Sequence, residues 1–433
     1  MTIPALTGRP DTPPARRYDS LLELRRARRD PIGFLRTLAA HGDVATCRFG
    51  DQLVVLLSHP DDIEGVLITH DARFVKPPAL DRASRLLGQG LLTANGRLHA
   101  VRRRTIAPAF HRQRMERYAG RIVEHALARA ARWRDGDTID AVDEMTTLTL
   151  RVVGDCLFGA DLTPVAAELR RLLATAIDAV DPLVVLVAPM RRLRPARARL
   201  LEIVEELIAR QLADPRDNLL ALLLDASGPE ATAEQLRDDA LTMLLAGHDT
   251  IANALTWTWS WLAGHPEAER RMHDELDQVL DGAPPGIDHV RQLPWTRAVL
   301  AESLRLTPPA WILARRAVED HPCRDGVIPR GALVVMSPYL VHRDPRFHPD
   351  PDSYRPERWL DADQARRPKL AYFPFGDGRR SCIGESFAWM EGILVLATLA
   401  QRWRLEPEDP TRRFDPRITL RPHGPQRMRV RAR

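Results

Sequence analysis

The chain has 433 residues, 44% of them hydrophobic and 28% charged, with a formal net charge of +5; this describes a globular protein with ample core material, of roughly two to four ordinary domains or one large one. The excess positive charge is arginine spread along the chain, without zinc-finger spacing or an aromatic-basic RNA motif, which argues against nucleic-acid binding. Four separate cysteines, Cys47, Cys156, Cys323 and Cys382, with no C-x-x-C pair, argue against a disulfide framework or a structural zinc site and for a reducing compartment.

In chain order, residues 1–29 read as a proline-rich polar leader with neither a signal-peptide core nor a membrane-spanning run, so the protein is expected in the cytoplasm without a stable membrane anchor. The 35 prolines and 24 glycines punctuate the rest without marking a linker or repeat, and residues 30–433 are expected to form a single domain. Strand signals are few: "VATCRFGDQLVVLL" predicts a hairpin turning at Gly50-Asp51. In "GRLHAVRRRTIAPAFH", His99 and Arg103 stand at i and i+4 on one helix face, which on its own is an ordinary basic surface helix. "IDAVDPLVVLVAPMRRLRPARARL" joins an apolar stretch to a basic one around residues 183–199; core packing, an access mouth and contact with an anionic membrane surface all suit it.

The best-defined helix begins at Thr232, where Thr232 and Gln235 fit a capping box, and runs to Gly264. Its centre, "ALTMLLAGHDTIANALTW", is apolar almost all round and should be buried. Within it "AGHDT" sets Gly247 and Asp249 where each costs stability, so either a packing kink or a local function should repay them. A second helix runs from Trp295 to Leu306, carrying Glu302 and Arg305 at i and i+3, a pair that is usually a solvated bridge. "GVIPRGALVVMSPYLV" predicts another hairpin turning at Pro329-Arg330-Gly331, and a third helix follows Cys382 through "ESFAWMEGILVLATLAQRW".

The loop "FPFGDGRRSCIGESFA" places Cys382 at the front of that last helix, where free N–H groups and the helix dipole favour thiolate over thiol. Gly376, Gly378 and Gly384 remove side chains around it, leaving room for something flat. A buried structural cysteine is the bland alternative; a phosphate loop fails for want of a third glycine or a lysine. The run Phe375 to Gly384 matches F-G-x-G-x-R-x-C-x-G in full and resembles the cysteine loop of the cytochrome P450 family, of the soluble bacterial type.

The resemblance, from about Asp30 to the end, implies a mainly α fold, a triangular helical prism with a small β-rich region. It implies haem b, with Cys382 as the axial thiolate of the iron, and His99, Arg103, Arg380 and either Arg315 or its neighbour Arg316 on the propionates. Many family members carry tryptophan where His99 stands, and others histidine. "AGHDT" resembles the family's A-G-x-[DE]-T element: Thr250 would hydrogen-bond bound dioxygen and Asp249 would relay protons. Glu302 and Arg305 resemble E-x-x-R, and with Arg358 of "YRPERW" they would form a buried ion network bracing the cysteine loop.

The implied reaction is a monooxygenation with O2 as cosubstrate, in secondary metabolism. The chain shows no dinucleotide fingerprint, so electrons from NAD(P)H would arrive indirectly through a separate ferredoxin and ferredoxin reductase. Arg102, Arg104, Arg112 and Arg379 would offer a ferredoxin a basic face. The pocket would be apolar, from Leu244, Leu245 and Ala246, from Trp311, Ile312 and Leu313, and from Ile418, Thr419 and Leu420. This suits a neutral hydrophobic small molecule acted on by a monomer, a terpenoid ahead of a fatty acid or polyketide. The alternative is a haem-thiolate peroxygenase, isomerase or ligand binder.

Overall fold

A computed structural model describes residues 16–17, 27–178, 194–226, 233–361 and 366–433, and their contacts divide into two compact units. The first takes in the described residues of Met1–Pro78, Ile312–Pro349 and Pro368–Ser381; the second takes in those of Ala79–Trp311, Asp350–Arg367 and Cys382–Arg433. The described residues are mainly helical with small sheets, and none of their helices is long and apolar enough to cross a membrane. Most of the leader and residues 179–193 of the apolar-basic stretch lie outside the described residues.

The first unit carries the largest sheet and a short hairpin, with β1 (Val44–Phe49), β2 (Gln52–Leu57), β3 (Phe74–Val75), β4 (Leu313–Ala317), β5 (His321–Cys323), β6 (Gly326–Ile328) and β7 (Leu333–Met336) among their strands. β1 and β2 form the predicted hairpin in the register Val44↔Leu57 to Phe49↔Gln52, turning at Gly50-Asp51. The second predicted hairpin is not formed. The chain does turn there, with the Ala332 N–H donating to the Pro329 carbonyl, but the two arms find other partners. β6 pairs back onto β5, whereas β7 lies parallel to β2 and antiparallel to β4. Val334 and Met336 are thereby buried among Val55, Leu57, Ile63 and Phe74, a burial that a free two-stranded ribbon would not provide.

The second unit is built on α1 (Gly96–Ile106), α2 (Arg112–Ala130), α3 (Ala141–Phe158), α4 (Ala233–Ala263), α5 (Pro294–Leu306) and α6 (Glu385–Ala400). α4 has the predicted extent at its C-terminal end, while the proposed cap Thr232 lies outside the described residues. Its polar residues are accommodated by bonding back one turn: Thr256 Oγ1 donates to the Ala252 carbonyl at 2.8 Å and Thr258 Oγ1 to Ala254 at 2.7 Å. Gly247 has a packing reason, because a Cβ there would stand 3.1 Å from Val153 Cγ2 on α3. Near the C-terminus, β8 (Phe414–Pro416) and β9 (Leu420–Pro422) form a hairpin. It is fixed to α4 by Trp257 Nε1, which donates to the Leu420 carbonyl at 3.0 Å.

Candidate active site

The middle of α4 interrupts an otherwise buried helix. From Leu241 to Leu245 every side chain is buried, yet Ala246 is exposed and Gly247, Asp249 and Thr250 are half-exposed. Within the 31-residue helix, exposed otherwise only at its N-terminal Ala233 and Glu234, this central turn faces open space between two buried stretches. Thr250 Oγ1 donates to the Ala246 carbonyl at 3.1 Å, so its lone pairs remain available on the open side. Asp249 is turned elsewhere. Its Oδ2 accepts from Thr419 Oγ1 at 2.9 Å and from Asn253 Nδ2 at 3.1 Å, and its Oδ1 pairs with Arg421 Nη2 at 2.9 Å. His248, fully enclosed, bonds the Leu244 carbonyl through Nδ1, and burial holds its pKa below the usual value.

Cys382 sits three residues ahead of α6. The residue touches solvent, but most of what surrounds it is protein. The expectation that its helix start favours thiolate meets a larger opposing effect. Burial pushes the thiol pKa up, the Gly384 N–H and the charge of Arg103 pull it down, and Glu385 pushes it up, for a net rise. His99 and Arg103 do share α1, His99 buried and Arg103 half-buried. Arg102, expected on a docking face, is instead buried, with Nη1 2.9 Å from Asp239 Oδ2 on α4. A guanidinium enclosed with a carboxylate cannot meet an external partner. Arg104, Arg112 and Arg379 are exposed.

In the first unit, Arg315 on β4 lies where burial and the charge of Arg380 lower its pKa to about 10, and burial lowers that of Arg380. Sequence reading missed a third cation beside them. Lys76 is 6% exposed, and burial, then Arg380, then Arg315 bring its pKa down to about 7. β3 pairs Phe74↔Ala317 and Val75↔Arg316, and continuing that register by one residue sets Lys76 against Arg315. Like charges facing across strands are destabilising, so such a cluster suits an anion. The signal in the sequence was a lysine directly after an apolar strand pair. In the same unit Gly378, at φ +72, carries no side chain for a local reason: a Cβ would lie 2.0 Å from the Leu67 carbonyl oxygen.

A lysine whose folded pKa is depressed binds fewer protons than in the unfolded chain between about 7 and the ordinary 10.5. In that window stability therefore rises with pH. The cofactor-free protein is expected to melt at higher temperature as the pH is raised from 7 toward 10, and Lys76→Met should be the more stable at pH 7 and flatten that rise. Equal pH slopes for the two proteins would contradict the burial of a charged Lys76.

Glu302, Arg305 and Arg358 do come together, with no exposure at Glu302 or Arg305. Glu302 receives Arg305 Nε at 2.9 Å and Nη2 at 2.7 Å, Arg358 Nε at 2.9 Å, Trp359 Nε1 at 2.9 Å and the Arg355 N–H at 2.9 Å. Burial pushes its carboxyl up, but the Arg305 hydrogen bonds and the charges of Arg305 and Arg358 outweigh it and hold the pKa below 4.5. Of the expected pocket residues, Ala246 is open and Ile312 and Leu313 are half-buried. Leu244, Leu245, Leu420 and Trp311 are buried, and Trp311 donates Nε1 to the Arg417 carbonyl at 2.6 Å.

A flat dicarboxylate with iron at its centre needs a soft ligand, open space and cations for its carboxylates. The second unit by itself offers an accessible thiol at Cys382 and an opening at Ala246, and the first unit by itself groups Lys76, Arg315 and Arg380; the kinds of residue present in each fit what haem requires. Residues 13–428 match the model of the family described as Cytochrome P450. Among proteins of known name, the chain is 37% identical to Cyclooctatin synthase of Streptomyces melanosporofaciens, over 92% of this chain and 91% of that protein. It is 34% identical to Cyclooctat-9-en-7-ol 5-monooxygenase of the same organism, over 88% and 86%, and 36% identical to Pentalenene oxygenase of Streptomyces avermitilis, over 93% of each. A match over nearly the whole chain, on a mainly helical fold with the cysteine loop intact, makes this chain a member of the cytochrome P450 family, a haem monooxygenase that uses O2 and draws on NAD(P)H through redox partners.

Proposed function

We propose that the protein hydroxylates or epoxidises a neutral terpenoid, using haem b and electrons passed from an NAD(P)H-dependent reductase through a ferredoxin. The observation that carries the substrate class is the similarity, over most of each chain, to relatives named for cyclooctatin-type and pentalenene oxidations. The apolar character of Leu245, Ala246, Trp311, Ile312 and Leu313 supports it, since these side chains offer no charge for a fatty-acid carboxylate. On this reading the protein works as a monomer in the cytoplasm, with residues 30–433 as one catalytic domain.

Cys382 is the iron ligand in this proposal. His99, Arg103, Arg315, Arg380 and, in addition, Lys76 answer the haem carboxylates; Arg315 is favoured over Arg316 because Arg380 acts on its charge. Haem, when bound, supplies the reduction of O2 and the transfer of one oxygen atom. The chain's own residues orient and protonate. Thr250 presents a hydroxyl whose direction is fixed by the Ala246 carbonyl, and Asp249 moves protons between solvent and that hydroxyl. Leu245 and Ala246 keep water from the substrate, while Thr419, its hydroxyl given to Asp249, offers the substrate only its methyl group. Glu302, Arg305 and Arg358 act structurally.

Difference spectra of the haem-loaded protein, titrated with neutral terpenes, fatty acids and macrolides, test the substrate class. A spin-state change with neutral terpenes is expected at concentrations where fatty acids and macrolides give none. A response to fatty acids alone would overturn it.

A further inference from the structure

We infer that Asp239 is a positioning residue for the cofactor: by taking Arg102 out of the run Arg102-Arg103-Arg104 it fixes the rotation of α1, and so sets His99 and Arg103 where they answer the haem carboxylates. The inference rests on the reading of His99 and Arg103 as carboxylate-binding groups. Its basis is how little else orients this helix. α1 buries three side chains, His99, Arg102 and Ile106, and Ile106 is the one apolar residue of the three. Leu98 is half-buried and Val101 is 46% exposed. Apolar packing therefore gives α1 only a weak preference for one face, and a shift of one residue turns a helix by about 100°. Three consecutive arginines leave the charge pattern equally undecided.

Asp239 decides it. Arg102 Nη1 lies 2.9 Å from Asp239 Oδ2, with the two side chains 9% and 2% exposed, whereas Arg103 is half-buried and Arg104 exposed. A buried ion pair adds little net stability but can specify register, since breaking it encloses a charge without its partner. Burial raises the Asp239 carboxyl pKa to about 6 against the charge of Arg102, so the group is ionised at neutral pH. The same pair of aspartates pins the approach to the helix. Asp239 Oδ1 accepts the Leu91 N–H at 3.2 Å, and Asp238 Oδ2 accepts the Gln89 N–H at 2.6 Å. Gly88, at φ +75, comes so near that a Cβ there would stand 1.9 Å from Asp238 Oδ1. The chain from Gln89 to Arg102 is thus tied to α4 at both ends, with His99 between the ties and Arg103 directly after them. The outcome is felt at Cys382, where burial raises the thiol pKa and the charge of Arg103 opposes the rise. Arg103 is held within electrostatic reach of that thiol.

The test follows haem transfer from the loaded protein to an excess of apomyoglobin, with thermal melting of the same haem-loaded proteins measured alongside. Wild type, D239N, D239E, R102M/D239L, H99L and R103Q are compared. D239N is expected to release haem about tenfold faster or more, as is usual when a group that orients a ligand is lost, and D239E should recover most of the difference. The apolar pair R102M/D239L removes the buried charges together with their direction. It should melt closer to wild type than D239N does, yet release haem as fast as D239N. A pair with a structural role alone would make release follow melting temperature across the set, and that correlation would overturn the inference. Wild-type release rates in D239N and R102M/D239L, with faster release in H99L and R103Q, would also overturn it and leave the haem reading of α1 standing. Wild-type release in H99L and R103Q would overturn that reading and this inference together. If D239N does not fold, R102M/D239L decides: release at the wild-type rate sinks the proposal.

Discussion

Cys382→Ser is expected to lose the red-shifted Soret band of the reduced carbon-monoxide complex and all product formation, while still binding haem. The band requires a thiolate on the iron, and the four cysteines differ in how well they could supply one. Burial raises the Cys47 thiol to about 12 and that of Cys323 to about 11. Cys156 is buried, and burial with the charges of Glu391 and Asp155 raises it further. Cys382 alone among them is exposed, and the Gly384 N–H favours its charged form. Its thiol pKa is nonetheless raised, so the metal itself must displace the proton, which a thiol allows near neutral pH and an aliphatic hydroxyl does not. Serine keeps the volume and loses the soft, electron-rich donor. Haem content measured beside the carbon-monoxide spectrum separates ligation from retention. A red-shifted band persisting in the serine variant would move the ligand to another cysteine.

What the sequence made legible was local or self-contained. The hairpin at Gly50-Asp51 carries its alternation and its turn within fourteen residues, and α4 announces itself by the apolar centre, Ala240 to Trp257, of its thirty-one residues. The second hairpin misled because turn chemistry at Pro329-Arg330-Gly331 says that the chain reverses but not which strand each arm will join. β7 found β2, nearly three hundred residues earlier in the chain. The same limit hid the charged residues. A run of arginines at 102 to 104 reads as a solvated face, and nothing near it shows that Asp239 waits to enclose Arg102. Lys76 reads as a surface lysine until β4 arrives beside it, and Arg421 as one of many C-terminal arginines until it meets Asp249. Motif residues were found because their spacing is fixed within one helix or loop. Their partners come from distant segments, which only the fold brings near.

The Glu302 network should show the largest stability effect of any single substitution considered. Glu302 is one negative charge enclosed with two positive ones, and the surplus is dispersed over main-chain oxygens. Arg305 Nη1 donates to Pro351 at 2.5 Å and Nη2 to Ser353 at 2.9 Å, and Arg358 Nη2 reaches the Asp350 and Ser353 carbonyls at 3.4 Å. The segment 350–359 is thus folded around α5 by groups that Glu302 holds in place. Glu302→Gln keeps the shape but leaves two guanidinium groups buried without their counter-charge, a loss of about 3–5 kcal/mol by analogy with broken buried pairs. Arg305→Lys should recover little of what Arg305→Ala loses, because one ammonium cannot reproduce the two-pronged contact at Nε and Nη2. The pH dependence follows from the same charge. The folded pKa of Glu302 lies below its ordinary 4.5, so its contribution is complete above that value and is lost as the pH falls through the folded pKa. The resistance of the wild type to chemical denaturation should therefore weaken on acidification by more than that of Glu302→Gln, which starts lower and has no carboxylate there to titrate. A Gln variant that unfolds at the wild-type denaturant concentration at pH 7 would show that the network is not a source of stability, and the E-x-x-R pair would have to be explained by something other than the fold.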